Sequence, residues 1–121
     1  MQREISFRGF KPMEAQTSAI EKQIAHFTTG FPHISSISLV VASPGQHHRK
    51  GDVFEIGLRA RLPTGKEIDV SSRPKDERYG DFYFALNDTF KRARRLLKDM
   101  AEKLRGEVKS HPAAASNTIS E

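Results

Sequence analysis

Hydrophobic and polar residues alternate with a period of two in four stretches of the chain, a pattern typical of half-buried strands. In "REISFRGF", Ile5 and Phe7 share one side, and in "HISSISLVVAS" the shared side carries Ile37, Leu39 and Val41. The stretches "DVFEIGLRARL" and "KEIDVSS" alternate in the same way, and the tight connection "PTG" between them predicts a hairpin. Their inward residues are expected to be Phe54, Ile56, Leu58, Ala60, Leu62, Ile68 and Val70.

Two other stretches place apolar residues every three or four positions, which predicts amphipathic helices. The first helix is expected to begin near Pro12 and to end before Gly30. Its buried side should comprise Met13, Gln16 or Thr17, Ile20, Ile24 and Phe27. The second helix should follow Asp81, which can cap it, and Gly106 is a candidate end. Its apolar stripe should comprise Tyr83, Leu86, Phe90, Ala93, Leu97, Met100 and Leu104.

The predicted order of elements is β-α-β-β-β-α, with no internal repeat. Each strand has one apolar face and each helix one apolar stripe, so we expect an α+β fold: a four-stranded mixed sheet with two helices packed on one face. The first strand–helix–strand crossover should be parallel and right-handed, and the other neighbours antiparallel. The polar sheet face should carry Ser6, Arg8, Ser36, Ser38, Glu55, Arg59, Arg61, Glu67 and Asp69. The predicted domain spans residues 1–109, and residues 110–121, small and polar, should form a flexible C-terminal tail.

Composition narrows the classes of function. The chain has 121 residues and no cysteine, which excludes disulfides, thiol nucleophiles and Cys-ligated zinc and fits a cytoplasmic protein. The first residues, "MQREISFRGF", are charged and alternating, unlike a signal peptide, and no apolar run approaches the length of a membrane span. Lys and Arg outnumber Asp and Glu by 20 to 15, and the net charge of +5 favours an acidic partner such as nucleic acid.

The positive charge is concentrated on the second helix. Residues 89–109 carry eight basic and three acidic residues, an excess equal to the net charge of the whole chain. At about 100° per residue, the group at the centre of this excess lies beside the apolar stripe and faces solvent. Like charges at this spacing cost stability, whereas a row of cations suits phosphates. An acidic protein surface and a merely solvated face are the alternatives. The primary candidates for contact with RNA are Lys91, Arg92, Arg94, Arg95 and Lys98.

Three aromatic residues open this helix, and only part of the set fits its apolar stripe. Tyr83 is expected in the core, whereas Phe82 and Phe84 cannot both lie on the stripe. One of them should pack under the preceding connector or stack on a base, and packing is the preferred interpretation. The same two alternatives apply to Phe10, which the alternation places on the polar side of the first strand.

Other chemistry-bearing residues give weaker signals. His47 and His48 are adjacent, so their side chains would point apart in an extended segment, and no well-spaced third ligand follows. We therefore expect no metal site; the segment reads as a solvated loop or as one that touches RNA. Asp76, Glu77 and Asp81 read as turn and helix-end charges, so no enzyme activity, cofactor or small-molecule substrate is expected. The second set of RNA-contact candidates comprises Arg8, Lys22, His47, His48, Arg49 and Lys50.

The segment "GDFYFALNDTFKRARRLLK" resembles the "D-x-Y-x-A-[IL]-[ND]" opening of the last helix in ribosome hibernation factors. This is the family of the ribosome-associated translation inhibitor and the short form of the hibernation promoting factor, also described as sigma modulation protein-like. "EISFRGFKPMEAQTSAIEKQI" is similar to the family's first strand and helix, and "HHRKGDVFEI" and "RGEVKSH" resemble a bacterial subgroup. The resemblance covers residues 2–109. The pattern is matched by Asp81, Tyr83, Ala85, Leu86 and Asn87.

The resemblance implies a β-α-β-β-β-α domain that lodges in the small ribosomal subunit, covers the decoding sites for mRNA and tRNA, and halts translation under stress or in stationary phase. In the family, basic residues of both helices face ribosomal RNA, and this chain matches at Arg92 and Arg95. Departures from the family pattern are Asp99, which stands where relatives often have Lys, and His26, near another family Lys. Off the ribosome we expect a monomer. The alternatives are a general module that recognises double-stranded RNA by shape and an adaptor for an acidic protein.

Overall fold

The structure is a computed structural model that describes residues 1–43, 53–71 and 77–109, with the backbone alone for residues 104–109. The order of elements is the predicted one. The elements are β1 (Gln2–Arg8), α1 (Glu14–Gly30), β2 (Ser36–Ala42), β3 (Glu55–Arg61), β4 (Glu67–Ser71), a short 3-10 turn (Glu77–Gly80) and α2 (Phe82–Lys109). The predicted loop with His47, His48, Arg49 and Lys50 and the predicted tail, residues 110–121, lie outside the described residues.

The four strands form one mixed sheet in the order β1-β2-β3-β4. β1 and β2 are parallel, with Ile5 opposite Leu39, as the crossover through α1 predicts. The other neighbours are antiparallel, and Leu58 of β3 lies opposite both Leu39 and Val70. The predicted hairpin between β3 and β4 is confirmed: the Leu62 N–H donates to the Lys66 carbonyl at 2.8 Å across its turn.

Both helices cover the same face of the sheet, and their apolar stripes join the inward strand residues in one core. The two helices run in the same direction. The Gln23 amide donates to the Asn87 side chain at 3.1 Å, and one turn further along the Phe27 and Phe90 rings meet at 5.6 Å between centroids. The outward residues of the strands alternate with buried ones throughout β3 and β4, so the second face of the sheet is left polar.

The first strand ends at a glycine that redirects the chain. Gly9 has φ +81, and a Cβ there would lie 2.8 Å from Ser43 Oγ, so an L side chain would be strained and crowded. Past this bend, Phe10 leaves the alternation of the strand and is half-buried. Its ring contacts those of Phe7 and Phe54, with centroids 5.6 and 5.8 Å away. Phe10 therefore packs against the core, which resolves the two alternatives left by the sequence.

Four sequence-based predictions about the helices are wrong. α1 includes Gly30 instead of ending before it. Met13 is 62% exposed, because α1 begins at Glu14 and Met13 is the extended residue before it, where its N–H donates to Gln16 Oε1. Tyr83 is 46% exposed, and Phe82 takes its predicted place in the core at 4%. Finally, α2 continues through Gly106 to Lys109. A glycine in a helix costs only about 0.5–1 kcal/mol relative to alanine, which is too little to end a long helix by itself.

Candidate nucleic-acid interface

The rotational setting of α2 is fixed at its first turn. Asp81 Oδ1 accepts hydrogen bonds from the Tyr83 N–H at 2.9 Å and the Phe84 N–H at 3.4 Å, so Asp81 caps the helix as predicted. The stripe that packs on the sheet is then Phe82, Leu86, Phe90, Ala93 and Leu97, each 4% exposed or less. This buried stripe determines which side chains of α2 face solvent.

The five primary candidates divide into two groups. Lys91, Arg95 and Lys98 are exposed, whereas Arg92 and Arg94 are half-buried. Helical geometry explains part of the division, because Arg94 lies about 80° from the centre of the buried stripe and Lys91 about 140°. Arg92 is about 120° from that centre, as far as Lys98 on the other flank, so its burial comes from its contact with β4. The structure therefore spreads the five residues over the part of α2 that faces away from the buried stripe, with Arg92 and Arg94 at its two borders. Only Lys91, Arg95 and Lys98 present their side chains fully to solvent.

Arg92 lies on the side of α2 that faces β4. Its Nη1 donates to the backbone carbonyl of Ser71, the last residue of β4, at 2.8 Å. A charge-assisted hydrogen bond of this kind limits the freedom of the guanidinium. Arg92 thus fastens the helix to the edge of the sheet and offers less of its hydrogen-bonding capacity to a partner.

Arg94 lies on the opposite side, toward α1. Its Nη1 is inaccessible to solvent and has no hydrogen-bond partner among the described residues. A buried donor without a partner costs about 1–3 kcal/mol. The remaining donors of this guanidinium stay available, since the residue as a whole is half-buried.

None of the five basic side chains forms an ion pair within the described part of the chain. Asp99 and Glu102 lie one turn beyond Arg95 and Lys98 along the helix, yet the ion pairs of the described residues all lie elsewhere. Arg3 of β1 pairs with Glu21 of α1, and Arg59 and Arg61 pair with carboxylates of β4. The positive charge of α2 is therefore not neutralised by contacts within the described chain.

A buried tyrosine forms a hydrogen bond with a residue of α2, and its role was not identified from the sequence. Tyr79 of the 3-10 turn is fully buried, and its hydroxyl donates to the Asp88 carboxylate. Burial raises the pKa of the Tyr79 hydroxyl, and the hydrogen bond to Asp88 raises it further, while the nearby Arg92 guanidinium acts in the opposite direction. The polar sequence around Tyr79 had suggested a solvated connector, and only the isolated ring within it hinted at burial.

The remaining aromatic residue of the helix opening also packs. Phe84 lies between the Tyr79 ring, 5.8 Å away between centroids, and the Arg78 guanidinium, 4.7 Å above the Phe84 ring. Phe82 is buried and Phe84 half-buried, so the most exposed ring at the start of α2 is that of Tyr83. The preferred interpretation that Phe82 and Phe84 pack is therefore confirmed, and only the expected burial of Tyr83 is wrong. Spacings from Phe82 and from Tyr83 both fit a helical stripe, so the sequence could not choose between them.

The second set of candidates is divided by the fold. Lys22 is exposed on α1, next to Gln23, whose side chain bonds α2. Arg8 is exposed at the end of β1, where alternation with Phe7 places it on the open face of the sheet, away from both helices.

Of the described residues, no three His, Cys, Asp or Glu side chains are grouped so as to hold a metal ion. No described helix is both long and apolar enough to cross a membrane.

Comparison with known proteins yields similarity in structure alone. No protein-family model matches the chain, and no curated protein matches it significantly. Among solved structures, it is similar to a ribosomal subunit interface protein from Coxiella burnetii, with a TM-score of 0.65 and 16% identity over 84% of this chain and 99% of that one. It is also similar to the Thermus thermophilus Protein Y N-terminal domain, with a TM-score of 0.62 and 17% identity over 83% of this chain and 99% of that one. At these identities the similarity establishes a shared fold, and it is the fold that the sequence resemblance implies.

Proposed function

We propose that this chain is a ribosome-binding protein that lodges in the small ribosomal subunit, occupies the decoding region and inhibits translation without catalysing a reaction. One observation carries the proposal: Lys91, Arg95 and Lys98 are exposed together on α2, flanked by Arg92 and Arg94, and none of the five has a carboxylate partner in the described chain. The sequence resemblance to ribosome hibernation factors supports it. So does the fold shared with a ribosomal subunit interface protein.

The binding step is electrostatic. Lys91, Arg95 and Lys98 contact phosphates of ribosomal RNA, and each contact releases condensed counterions, which makes the affinity depend on salt. Arg94 adds its accessible donors to the same row, and Arg92 contributes charge while its contact with Ser71 holds the helix in place. Lys22, which is exposed on α1 next to Gln23, extends this surface onto the first helix. Inhibition then follows from volume, because a folded body held at the decoding region excludes mRNA and tRNA.

The test removes only the three exposed charges, so that the contacts of Arg92 and Arg94 stay intact. In the variant Lys91→Gln, Arg95→Gln, Lys98→Gln, binding to purified small subunits should weaken. The slope of log affinity against log salt should also flatten by about one for each residue. Co-sedimentation over a salt series measures both, and a cell-free translation assay should show loss of inhibition.

The matched control removes three positive charges that do not belong to α2: Arg59 and Arg61 on the open face of the sheet and Lys66 in the turn between β3 and β4. Both triple variants lower the net charge from +5 to +2. The control should bind almost as the unmodified chain does. Equal losses in the two variants would show that binding depends on total charge, and unchanged binding in the α2 variant would refute this assignment of the surface. If the unmodified chain binds free duplex RNA as tightly as small subunits, the general double-stranded RNA module is the better description.

A further inference from the structure

We infer that Tyr83 stacks on an unpaired nucleobase of the RNA whose phosphates contact the basic side of α2. The inference rests on the proposed function and adds to it a contact that is not electrostatic. The observation behind it is the exposure of this ring. Tyr83 is 46% exposed at the start of α2, whereas Phe82 and Tyr79 beside it are buried.

The Tyr83 ring is supported on one side and remains partly exposed. The Phe82 ring meets Tyr83 edge to face, with centroids 5.2 Å apart and planes at 88°. At the same residue, the backbone N–H is fixed by the cap from Asp81. A ring whose orientation is already restricted loses little conformational entropy when a second planar group stacks on it. The Tyr83 ring is therefore preorganised for stacking.

Tyr83 is also in line with the cations. Tyr83, Asn87, Lys91, Arg94 and Lys98 follow one another at spacings of four, four, three and four residues, so they form a single row along α2. The hydrogen bond between Asn87 and Gln23 places this row on the side of α2 that faces α1. At 1.5 Å per residue, the ring lies about 12 Å along the axis from Lys91 and about 22 Å from Lys98.

An aromatic ring at the end of a row of cations fits one chemical class of ligand. Proteins that bind single-stranded RNA combine cations along the backbone with rings on which bases stack. The bases of a duplex are stacked on each other and do not offer their faces, so the ligand must carry an unpaired base. We therefore assign to this row a single-stranded or bulged segment of RNA, with its base at Tyr83 and its phosphates at Lys91 and Lys98.

The experiment compares Tyr83→Leu, which removes the aromatic plane, with Tyr83→Phe, which keeps it. Because Tyr83 is exposed, both variants should fold, and circular dichroism checks this. Affinity is measured for purified small subunits and, separately, for a single-stranded RNA of about ten nucleotides, within the range of known site sizes. Tyr83→Leu should weaken binding about tenfold or more to both, with an unchanged salt slope, and Tyr83→Phe should bind within about twofold of the unmodified chain. Wild-type affinity in Tyr83→Leu, or equal losses in the two variants, would overturn the inference.

A fluorescent variant gives a second readout. The chain has no tryptophan, so Tyr83→Trp keeps a ring at this position and makes it the only indole. Its fluorescence should be quenched when the oligonucleotide binds, and an unchanged signal at saturation would contradict stacking. The two proposals can fail separately. If the unmodified chain binds small subunits and Tyr83→Leu binds equally well, only the stacking contact is lost. If the unmodified chain fails to bind small subunits, the proposed function is wrong, and the oligonucleotide arm decides on Tyr83.

Discussion

The open face of the sheet and the exposed side of α2 both carry arginines. Those on the sheet form ion pairs with carboxylates of the described chain, and those on α2 do not. On the sheet, Arg59 pairs with Asp69 at 3.2 Å and Arg61 with Glu67 at 3.3 Å, each across neighbouring strands. On α2, three exposed cations stand within two turns without a carboxylate partner in the described chain. The difference between the two regions is that carboxylates of the described chain neutralise the arginines of the sheet but not the exposed cations of α2.

This difference indicates which of the two charged surfaces is the better candidate for binding a partner. Paired charges on an exposed sheet contribute little to stability and have little attraction left for a polyanion. Unpaired like charges on a helix oppose each other and lower stability slightly, so the fold gains nothing from them. A surface that is kept at a small cost to the fold is the better candidate for binding, and this is why the proposal places RNA on α2 rather than on the sheet.

The largest expected effect separates the two sides of α2 itself. Phe90→Ala truncates a fully buried ring of the apolar stripe and should lower the free energy of unfolding by about 3–5 kcal/mol. Its neighbour Lys91 is exposed, so Lys91→Ala should change stability by no more than about 0.5 kcal/mol while weakening binding to small subunits. Urea denaturation followed by circular dichroism measures both. Comparable losses of stability would show that Lys91 is part of the fold, and the functional contrast between the two sides would be lost.

Hydrophobic periodicity was sufficient to predict the fold. Alternation and helical spacing depend on which residues must be buried, and a four-stranded sheet with two helices on one face buries all of them. The same reasoning predicted that the cations of α2 would lie beside the stripe. It also predicted the cap at Asp81, because a carboxylate before a helix has a specific role there.

Periodicity could not decide between neighbouring residues that fit the pattern equally well. Phe82 and Tyr83 both lie at helical spacing from Leu86, and burial favours the ring without a hydroxyl unless that hydroxyl finds a partner. Tyr79 is the contrasting example, because its hydroxyl does find one in Asp88, and it is fully buried. Such a pairing joins the 3-10 turn to the helix in three dimensions, and no spacing along the chain predicts it.

The next largest effect concerns Tyr79, the buried tyrosine whose hydroxyl donates to Asp88 of α2. Tyr79→Phe removes the hydroxyl that donates to Asp88 and leaves a half-buried carboxylate with one hydrogen bond fewer. We expect the free energy of unfolding at neutral pH to fall by about 1.5–3 kcal/mol, the usual contribution of a hydrogen bond to a charged group. Tyr83→Phe is the control, since Tyr83 is exposed and should tolerate the change. Equal stability of the two variants would show that the Tyr79 hydroxyl does not support the helix.

The same hydroxyl should make stability depend on alkaline pH. The pKa of Tyr79 is raised above its ordinary value of 10.0, because burial and the bond to Asp88 both favour the neutral form. Its contribution is therefore present in full below about pH 10 and is lost as the pH rises from there through the higher pKa of the folded state. The difference in stability between the unmodified chain and Tyr79→Phe should shrink over this window. A constant difference from pH 8 to pH 11 would contradict a raised pKa for Tyr79.

The smallest expected effect is a change in folding stability whose sign differs between the sheet and α2. It tests the comparison between these two regions most directly. Arg61→Gln breaks an exposed ion pair on the sheet and should destabilise the fold by no more than about 1 kcal/mol. Arg95→Gln removes a charge that lies one turn from Lys91 and Lys98, so it should leave stability unchanged or raise it by a few tenths of a kcal/mol. Added salt should reduce both differences, since each is a surface electrostatic effect. Binding should show the reverse order: Arg95→Gln weakens attachment to small subunits, and Arg61→Gln does not. If Arg95→Gln destabilises the fold as much as Arg61→Gln does, then Arg95 has a structural partner, and its charge cannot be attributed to binding.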